Sequence, residues 1–407
     1  MSFVARRLAA LSTAMILLAA SGSSAFAQKN YDTGASDTGI KIGNIMPYSG
    51  PLSAYGVIGT TEAAYFNKIN ADGGIKGREI NFISYDDGYQ PPKTVEMIRK
   101  LVEEDQVLAC FNMTGTPCNS AIHKYMNQKK VPQLFIATGA SKWGNPKDFP
   151  WTMGYQPDYH TEGVIYAKHI LANVKDARIG VLYQNDDYGK DYFNGIKDGL
   201  GKEAGRLVKV VTYESTDPTV DSQIIELKNS GANVFYNVSI SKFAAQAMRK
   251  AADLGWKPVQ YMNNVAASVG TTMKPAGFDN VQGVLTAAWL KDPTDHQWDN
   301  EPDMREWRAF MAKYIPDGNL ADGSYVYAYG VAALLRKTLE KCGDVLTRDN
   351  LMTQAASWHQ LHLPGLLPGI TVSTSPTDFY PVQAVQMSRF KGETWELFGD
   401  VMHNESS

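Results

Sequence analysis

The chain has 407 residues, 39 Lys and Arg against 42 Asp and Glu, and a formal net charge of −3. That balance excludes a strongly basic nucleic-acid binder as the default. The length exceeds what one hydrophobic core usually supports, so two domains are expected.

The N-terminus reads as an export signal. Arg6 and Arg7 form a basic region, residues 8–20 an apolar run too short to span a bilayer, and Ala25-Phe26-Ala27 a small-x-small cleavage site. Residues 1–27 are expected to be a signal peptide cleaved after Ala27. Two Arg and no acid leave with it, so the net charge moves from −3 to about −5. No later run reaches the roughly 18–20 apolar residues of a membrane helix.

Strand and helix then alternate. Residues 40–46 read as a strand, followed by a Pro/Gly loop with Tyr55, a helix over 60–70, a Gly-rich turn at 73–77 and a strand over 79–85. Such a unit opens its first loop at the carboxyl end of a strand, where open α/β sheets bind ligands. A helix over 92–105 carries an apolar stripe at Val95, Ile98, Leu101 and Val102. A strand (107–111), the loop 112–117, a helix (118–129), a strand (133–137) and the loop 138–146 follow. The second series runs helix 161–172, strand 178–183, loop 184–189, helix 190–204, strand 206–213, helix 221–230, strand 233–238, helix 241–254 and strand 259–263. The last third holds helices at 303–314, 325–342 and 348–356 and strands at 369–373, 382–390 and 394–398, the last two joined by a turn at Lys391-Gly392. The expectation is an α/β fold of two similar lobes, each a mostly parallel sheet flanked by helices.

Three cysteines remain, Cys110, Cys118 and Cys342. Cys110 and Cys118 flank one loop and read either as a disulfide or, with Cys342, as buried small residues. No CxxC spacing points to zinc.

Residues 40–91 also carry a resemblance. The words Ser49-Gly50-Pro51, Tyr55-Gly56, INADGGIKG (69–77) and Tyr85-Asp86-Asp87 resemble the opening of the periplasmic substrate-binding proteins of branched-chain amino acid ABC transporters. The resemblance covers nearly all of 38–400. It implies a type I two-lobed fold whose backbone crosses three times between lobes, near Tyr155, Ala288 and Thr374. Lobe 1 would then be 38–155 plus 289–373, and lobe 2 would be 156–288 plus 374–407. A three-strand hinge allows closure by small dihedral changes. It also implies a periplasmic protein, monomeric and without cofactor, that hands its ligand to a membrane permease and ATPase.

Small residues and hydroxyls at strand ends expose N–H groups, and a helix N-terminus adds partial positive charge, so such loops suit a carboxylate; ordinary helix capping uses the same residues. The resemblance assigns the carboxylate to Thr114, with Thr116 second, in the loop 112–117, and to Thr138, Ala140 and Ser141 in the Thr-Gly-Ala-Ser loop. Tyr55 would pack on the ligand and Tyr188 would reach it from the second lobe. Amino-acid binders of this type hold the ligand's α-ammonium with an acid after the strand 259–263. Here the run is Tyr-Met-Asn-Asn-Val-Ala-Ala-Ser (261–268), and Val265 stands nearest that position, with Ser239 the neighbouring contact. A buried ammonium without a carboxylate is costly. The expected ligand is therefore a carboxylic acid without an α-amino group, and Trp143, Tyr155 and Trp289 suit an aromatic or alicyclic one. An acid placed differently, Asp186 or Asp279, would restore amino-acid binding.

Other classes read weakly. No dinucleotide, P-loop or nucleophile-elbow motif occurs. Ser239-Ile240-Ser241-Lys242 has SxxK spacing but lacks the partner motifs of penicillin-binding enzymes. His359 and His362 have no third ligand nearby, and Asp86-Asp87 reads as a turn and hinge pair. A ligand-sensing receptor module on the same fold is the other alternative.

Overall fold

The computed structural model describes residues 29–403; the expected signal peptide lies outside them. The first sheet has five parallel strands in the order Glu79–Asp86, Gly39–Met46, Ala109–Phe111, Gln133–Ile136 and Thr152–Gly154. Its inner strands are covered on both faces, which is why Gly39–Met46 reads as an apolar run with Ile40, Ile42, Ile45 and Met46 buried. The strand order reverses between Gly39–Met46 and Ala109–Phe111, which opens a crevice at their carboxyl ends.

The second sheet has seven strands. Five are parallel, in the order Leu285–Ala288, Val259–Met262, Val234–Val238, Ile179–Gln184 and Leu207–Tyr213. This repeats the first sheet's order with its own reversal beside Ile179–Gln184. The antiparallel pair Ala384–Lys391 and Thr394–His403 extends the edge next to Leu285–Ala288. The hairpin turns at Gly392, whose φ is +65°.

After Leu285–Ala288 the chain returns to the first half. Residues 289–291 run against 365–367, with Leu367 N donating to Trp289 O at 3.0 Å and Lys291 N to Gly365 O at 2.8 Å. The helices Pro302–Tyr314 and Ser324–Cys342 then pack on Val57–Ala71 through Tyr65, Phe310 and Tyr329. In the other half, helices Tyr159–Asn173 and Asp187–Leu200 lie so close that a Cβ on Gly195 would sit 2.1 Å from His160 O.

Several boundaries differ from expectation for local reasons. The helix expected at 190 begins at Asp187, because the Asp186 carboxylate accepts from Gly189 N at 3.1 Å and caps it. The helix expected at 118 begins at Thr116, after Gly115 at φ +100° and with Pro117 in its first turn. The helix expected over 92–105 is α-helical only over Pro91–Arg99 and widens to a π turn at Lys100–Glu104. The strand expected at 369–373 does not form; Gly369 has φ +84°, and Val372 makes only isolated bridges to Leu361 and Val382. The strands Thr152–Gly154 and Leu285–Ala288 were too short for the pattern to mark. Cys110, Cys118 and Cys342 are buried free thiols, so the disulfide alternative for Cys110 and Cys118 does not hold here. No described helix is long and apolar enough to cross a membrane.

Candidate functional site

A cavity of about 170 Å³ lies where the strand carboxyl ends of the two sheets face each other. A space of about 10–15 Å³ holds one water, so this one has room for a small organic molecule. Both sheets open their first, third and fourth strand-end loops onto it, which is where the two order reversals put them.

On the first lobe, Thr114, Gly115, Thr116 and Thr138 form the polar wall. Gly115 must be glycine: its φ is +100°, and a Cβ there would meet the Tyr89 ring at 2.5 Å. The hydroxyls of Thr116 and Thr138 are 2.5 Å apart. Thr138 Oγ1 accepts from Ala140 N at 3.4 Å and from Trp143 Nε1 at 3.3 Å, which fixes it behind Thr116. The Thr116 hydroxyl stands on the cavity wall at the first turn of a helix whose N-terminus faces the cavity. Thr114 Oγ1 lies 3.1 Å from Met46 Sδ, a weak acceptor.

From the second lobe come Tyr188, Ile240, Asn264, Val265 and Ser268. Tyr188 is on the first turn of its helix, takes a hydrogen bond from Asn263 Nδ2 and packs edge-on against Tyr159 at 5.5 Å. Val265 is held from behind. Glu162 on the neighbouring helix accepts from Asn264 N at 2.8 Å, Asn264 Nδ2, Tyr166 at 2.6 Å and Tyr192 at 2.8 Å. Burial nevertheless pushes its carboxyl up to about 7. Glu162 thus holds the Val265 loop from behind with its oxygens fully used, and Asp322 accepts from Ser268 Oγ of the same loop at 2.9 Å. Asp186 is occupied by Gly189 N and by Gln184 Nε2 at 2.6 Å, and Asp279 sits in the turn Phe278–Asn280 off the cavity wall.

Polar contacts close the cleft. Tyr55 donates to Val265 O at 3.0 Å and accepts from Ser241 N at 3.2 Å. Gln184 Nε2 donates to the Tyr89 hydroxyl at 3.0 Å. Asp191 accepts from Ser141 N and Oγ, both at 2.7 Å, and Lys142 pairs with Asp187 at 2.6 Å. Asp86 and Asp87 serve the loop that carries Tyr89. Asp87 accepts from Tyr89 N at 2.8 Å; Asp86 is held down to about 2 because donors from Ser49 and Gly88 outweigh its burial.

Of the nine residues singled out in the sequence, Tyr55, Thr114, Thr116, Thr138, Tyr188 and Val265 meet at this cavity. Ala140, Ser141 and Ser239 do not reach its wall. Ser141 spends both its donors on Asp191, fifty residues away in sequence, and Ala140 turns with it. Ser239 is fully buried, and its main-chain oxygen accepts from Asn263 Nδ2 at 3.3 Å. Among the three aromatics, Trp289 lines the cavity, Tyr155 stands behind it at 5.5 Å, and Trp143 is buried away from it. Sequence reasoning did not single out Tyr89, Asn264, Asp292, Trp298 or Tyr327. Asp292-Pro293-Thr294 reads as a turn, and its position on the wall comes only from the chain's return between lobes.

The wall supplies no nucleophile–base pair. Ser241 is hydrogen-bonded to Tyr55 at 3.0 Å, while Lys242 is exposed and lies over the Phe243 ring at 4.7 Å. His359 and His362 are exposed. Among the described residues no group of His, Cys, Asp and Glu is arranged to hold a metal. The wall has hydroxyls and a helix N-terminus at one end, aromatic rings along its sides, and Lys291, Asp292 and Asp295 in the segment where the chain returns to the first lobe, an arrangement suited to binding.

The sequence profile of the family described as periplasmic binding protein matches residues 39–394. The Leu/Ile/Val-binding protein of Escherichia coli is 24% identical over 255 residues, which is 60% of this chain and 66%, just under two thirds, of that relative. Two solved structures have similar folds. A branched-chain amino acid ABC transporter protein from Thermus thermophilus with bound valine superposes with a TM-score of 0.82 at 15% identity, over 91% of this chain and 98% of that one. A fatty acid ABC transporter substrate-binding protein from Thermomonospora curvata gives 0.79 at 20% identity, over 93% and 95%.

Proposed function

The chain belongs to the periplasmic binding protein family, of the branched-chain amino acid type, and we propose that it is the solute-binding component of an ABC importer. It captures a small carboxylate between lobes that close about the crossings near Tyr155, Ala288 and Thr374. The carboxylate is held by Thr114, Thr116 and the N-terminus of the helix Thr116–Lys129, with Thr138 hydrogen-bonded behind Thr116 and with Tyr55 and Tyr188 packing on the ligand. The ligand is an aromatic or alicyclic acid without an α-amino group. The closed form docks on a permease with its ATPase, in the periplasm, as a monomer.

The observation that carries the ligand class is the loop 263–268. It puts Val265 on the cavity wall; Glu162, which holds Asn264 beside it, has every oxygen engaged, and Asp322 is bonded to Ser268 and Ser324. An α-ammonium buried there would have lost its water without gaining a carboxylate, a cost of several kcal/mol. A micromolar dissociation constant needs about 8 kcal/mol, within reach of charge-assisted hydrogen bonds from hydroxyls and N–H groups plus one buried ring. The fatty acid binder among the structural relatives supports an amine-free acid.

The name of the E. coli relative favours a second reading, a branched-chain or other amino acid on the same scaffold. Thermal unfolding of the mature protein, stripped of bound ligand, separates the two. Ligand at about 100 times its dissociation constant stabilises by about 2.7 kcal/mol. A shift with amine-free aromatic or alicyclic acids alone supports the proposal; a shift with leucine-like amino acids alone replaces it with the second reading.

A further inference from the structure

The cavity has a second end that the carboxylate does not use. Past Tyr327 and Trp289 it reaches Lys291, Asp292, Asp295 and Trp298 in the segment where the chain returns to the first lobe. Tyr327 marks the boundary: its hydroxyl takes a bond from Asn112 Nδ2 at 3.0 Å, on the carboxylate-loop side, and its ring meets the edge of Trp289 at 5.9 Å.

The charge at this end is negative and unneutralised. Asp292 Oδ1 accepts from Thr294 N at 2.8 Å and from Thr294 Oγ1 at 2.5 Å. No group among the described residues donates to its Oδ2, and the residue is partly exposed and lines the cavity. Two more carboxylates stand close enough to act on it. Asp295 is engaged with Gln297, and Asp322 accepts from Ser268 Oγ at 2.9 Å and Ser324 N at 3.0 Å. The one base on the wall, Lys291, gives its ammonium to both oxygens of Asp303 at 2.8 Å. The loop is fixed rather than loose: Thr294 Oγ1, its proton given to Asp292, accepts from Thr394 Oγ1 at 2.9 Å, tying it to the edge hairpin beside Trp395, another wall residue.

A carboxylate oxygen without a donor, on a cavity walled by indole and phenol rings, is complementary to an organic cation. No metal-holding group of side chains exists among the described residues, so a bare metal ion is not the match. We infer that this end of the cavity is a subsite for a cationic nitrogen carried by the ligand at a distance from its carboxylate, with Asp292 as the counter-charge. The inference rests on the carboxylate-binding reading above and narrows it: the ligand lacks an α-ammonium and bears a remote one.

The test compares matched probes on the mature wild-type protein and on Asp292→Asn, by isothermal titration. The probes are 4-(aminomethyl)benzoate against 4-methylbenzoate, 6-aminohexanoate against hexanoate, and benzylamine alone. The expected result is that a probe with the remote ammonium binds wild type at least about tenfold more tightly than its amine-free partner. Asp292→Asn abolishes that advantage, and an unchanged thermal unfolding midpoint of the unliganded variant shows that it is folded. Equal affinities within each pair, or an advantage that survives Asp292→Asn, overturns the inference and leaves carboxylate binding standing. If no acid binds but benzylamine does, and Asp292→Asn abolishes it, the subsite stands and the carboxylate reading falls. If no probe binds wild type, both fall.

Discussion

The hydroxyl of Tyr55, on the first lobe, donates to the main-chain oxygen of Val265, on the second, across 3.0 Å. Val265, nearest the position where amino-acid binders of this type carry an acid, therefore joins the lobes through its backbone and lines the cavity. Tyr55→Phe deletes this bond and leaves Ser241 N without its acceptor. We expect a loss of about 1–3 kcal/mol from the closed form. Small-angle scattering of the ligand-bound variant would show a larger radius of gyration than wild type, and affinity would fall by about tenfold or more. Unchanged scattering and affinity would mean that closure does not depend on this contact.

Thr116 puts its hydroxyl on the cavity wall, and Thr138 supplies the network behind it. Thr116→Val removes the donor with little change of volume and should weaken carboxylate binding by about tenfold, the value of one charge-assisted hydrogen bond. Thr138→Val should act indirectly, by freeing Thr116 to turn away. Titration calorimetry checks both; a Thr116→Val protein with wild-type affinity would remove this hydroxyl from the site.

Glu162 gives a stability prediction with a definite sign. Its native pKa is raised to about 7 by burial, from an ordinary value of 4.5, and burial likewise raises Asp158 and Asp292 to about 6. The native state thus binds more protons than the unfolded chain between about pH 4.5 and 7. Stability from these groups is fully present below the unfolded pKa values and is lost as pH rises through the native ones. The melting temperature of the ligand-free protein should fall between pH 5 and pH 8. Glu162→Gln turns an amide N–H₂ toward existing donors and should cost about 1–3 kcal/mol at pH 5. It should also flatten the pH dependence near 7. A melting temperature that rises over this range would contradict the assignment.

The same raised pKa gives the Asp292 subsite a pH signature. Asp295, Asp322 and the Asp303-bound Lys291 are the charged groups around it. Asp292 is ionised above about 6, so a probe with a remote ammonium should bind more weakly as pH falls from 7 to 5. The matching amine-free acid should show no such loss. Parallel titrations at pH 5, 6 and 7 distinguish the two.

Packing between the helices Tyr159–Asn173 and Asp187–Leu200 depends on glycine. Gly195→Ala would place a methyl 2.1 Å from His160 O, against main chain that cannot swing aside. Overpacking of this kind costs about 1–3 kcal/mol. Denaturant unfolding should show a lowered midpoint with an unchanged slope.

The alternation of strands and helices was legible because parallel strands buried on both faces read as apolar runs and their helices carry a stripe. Residues 40–46 and 95–102 are examples. Helix starts were less legible because their signals are single residues. Asp186 as a cap and Gly115 before Pro117 each move a helix start by two or three residues, and with it the turn on which Tyr188 or Thr116 sits. The candidate site was legible where it depends on one strand-end loop, as for Tyr55, Thr116 and Val265. It was not where a partner comes from the other lobe. Nothing near Ser141 reveals that Asp191 takes both its donors. Asp292 was missed for the converse reason: locally it is a turn residue, and only the return of the chain between lobes brings it to the cavity.

The most direct test of the account is isothermal titration of the stripped, mature protein with ligand pairs that differ only by the α-ammonium. Suitable pairs are phenylalanine with 3-phenylpropanoate and leucine with 4-methylpentanoate. The absent carboxylate at Val265 predicts that the amine-free member of a pair binds, and that its amino acid binds about a hundredfold more weakly or not at all, as befits a loss of several kcal/mol. Tighter binding of the amino acids would contradict it and would mean that a carboxylate elsewhere in the cavity anchors the ammonium.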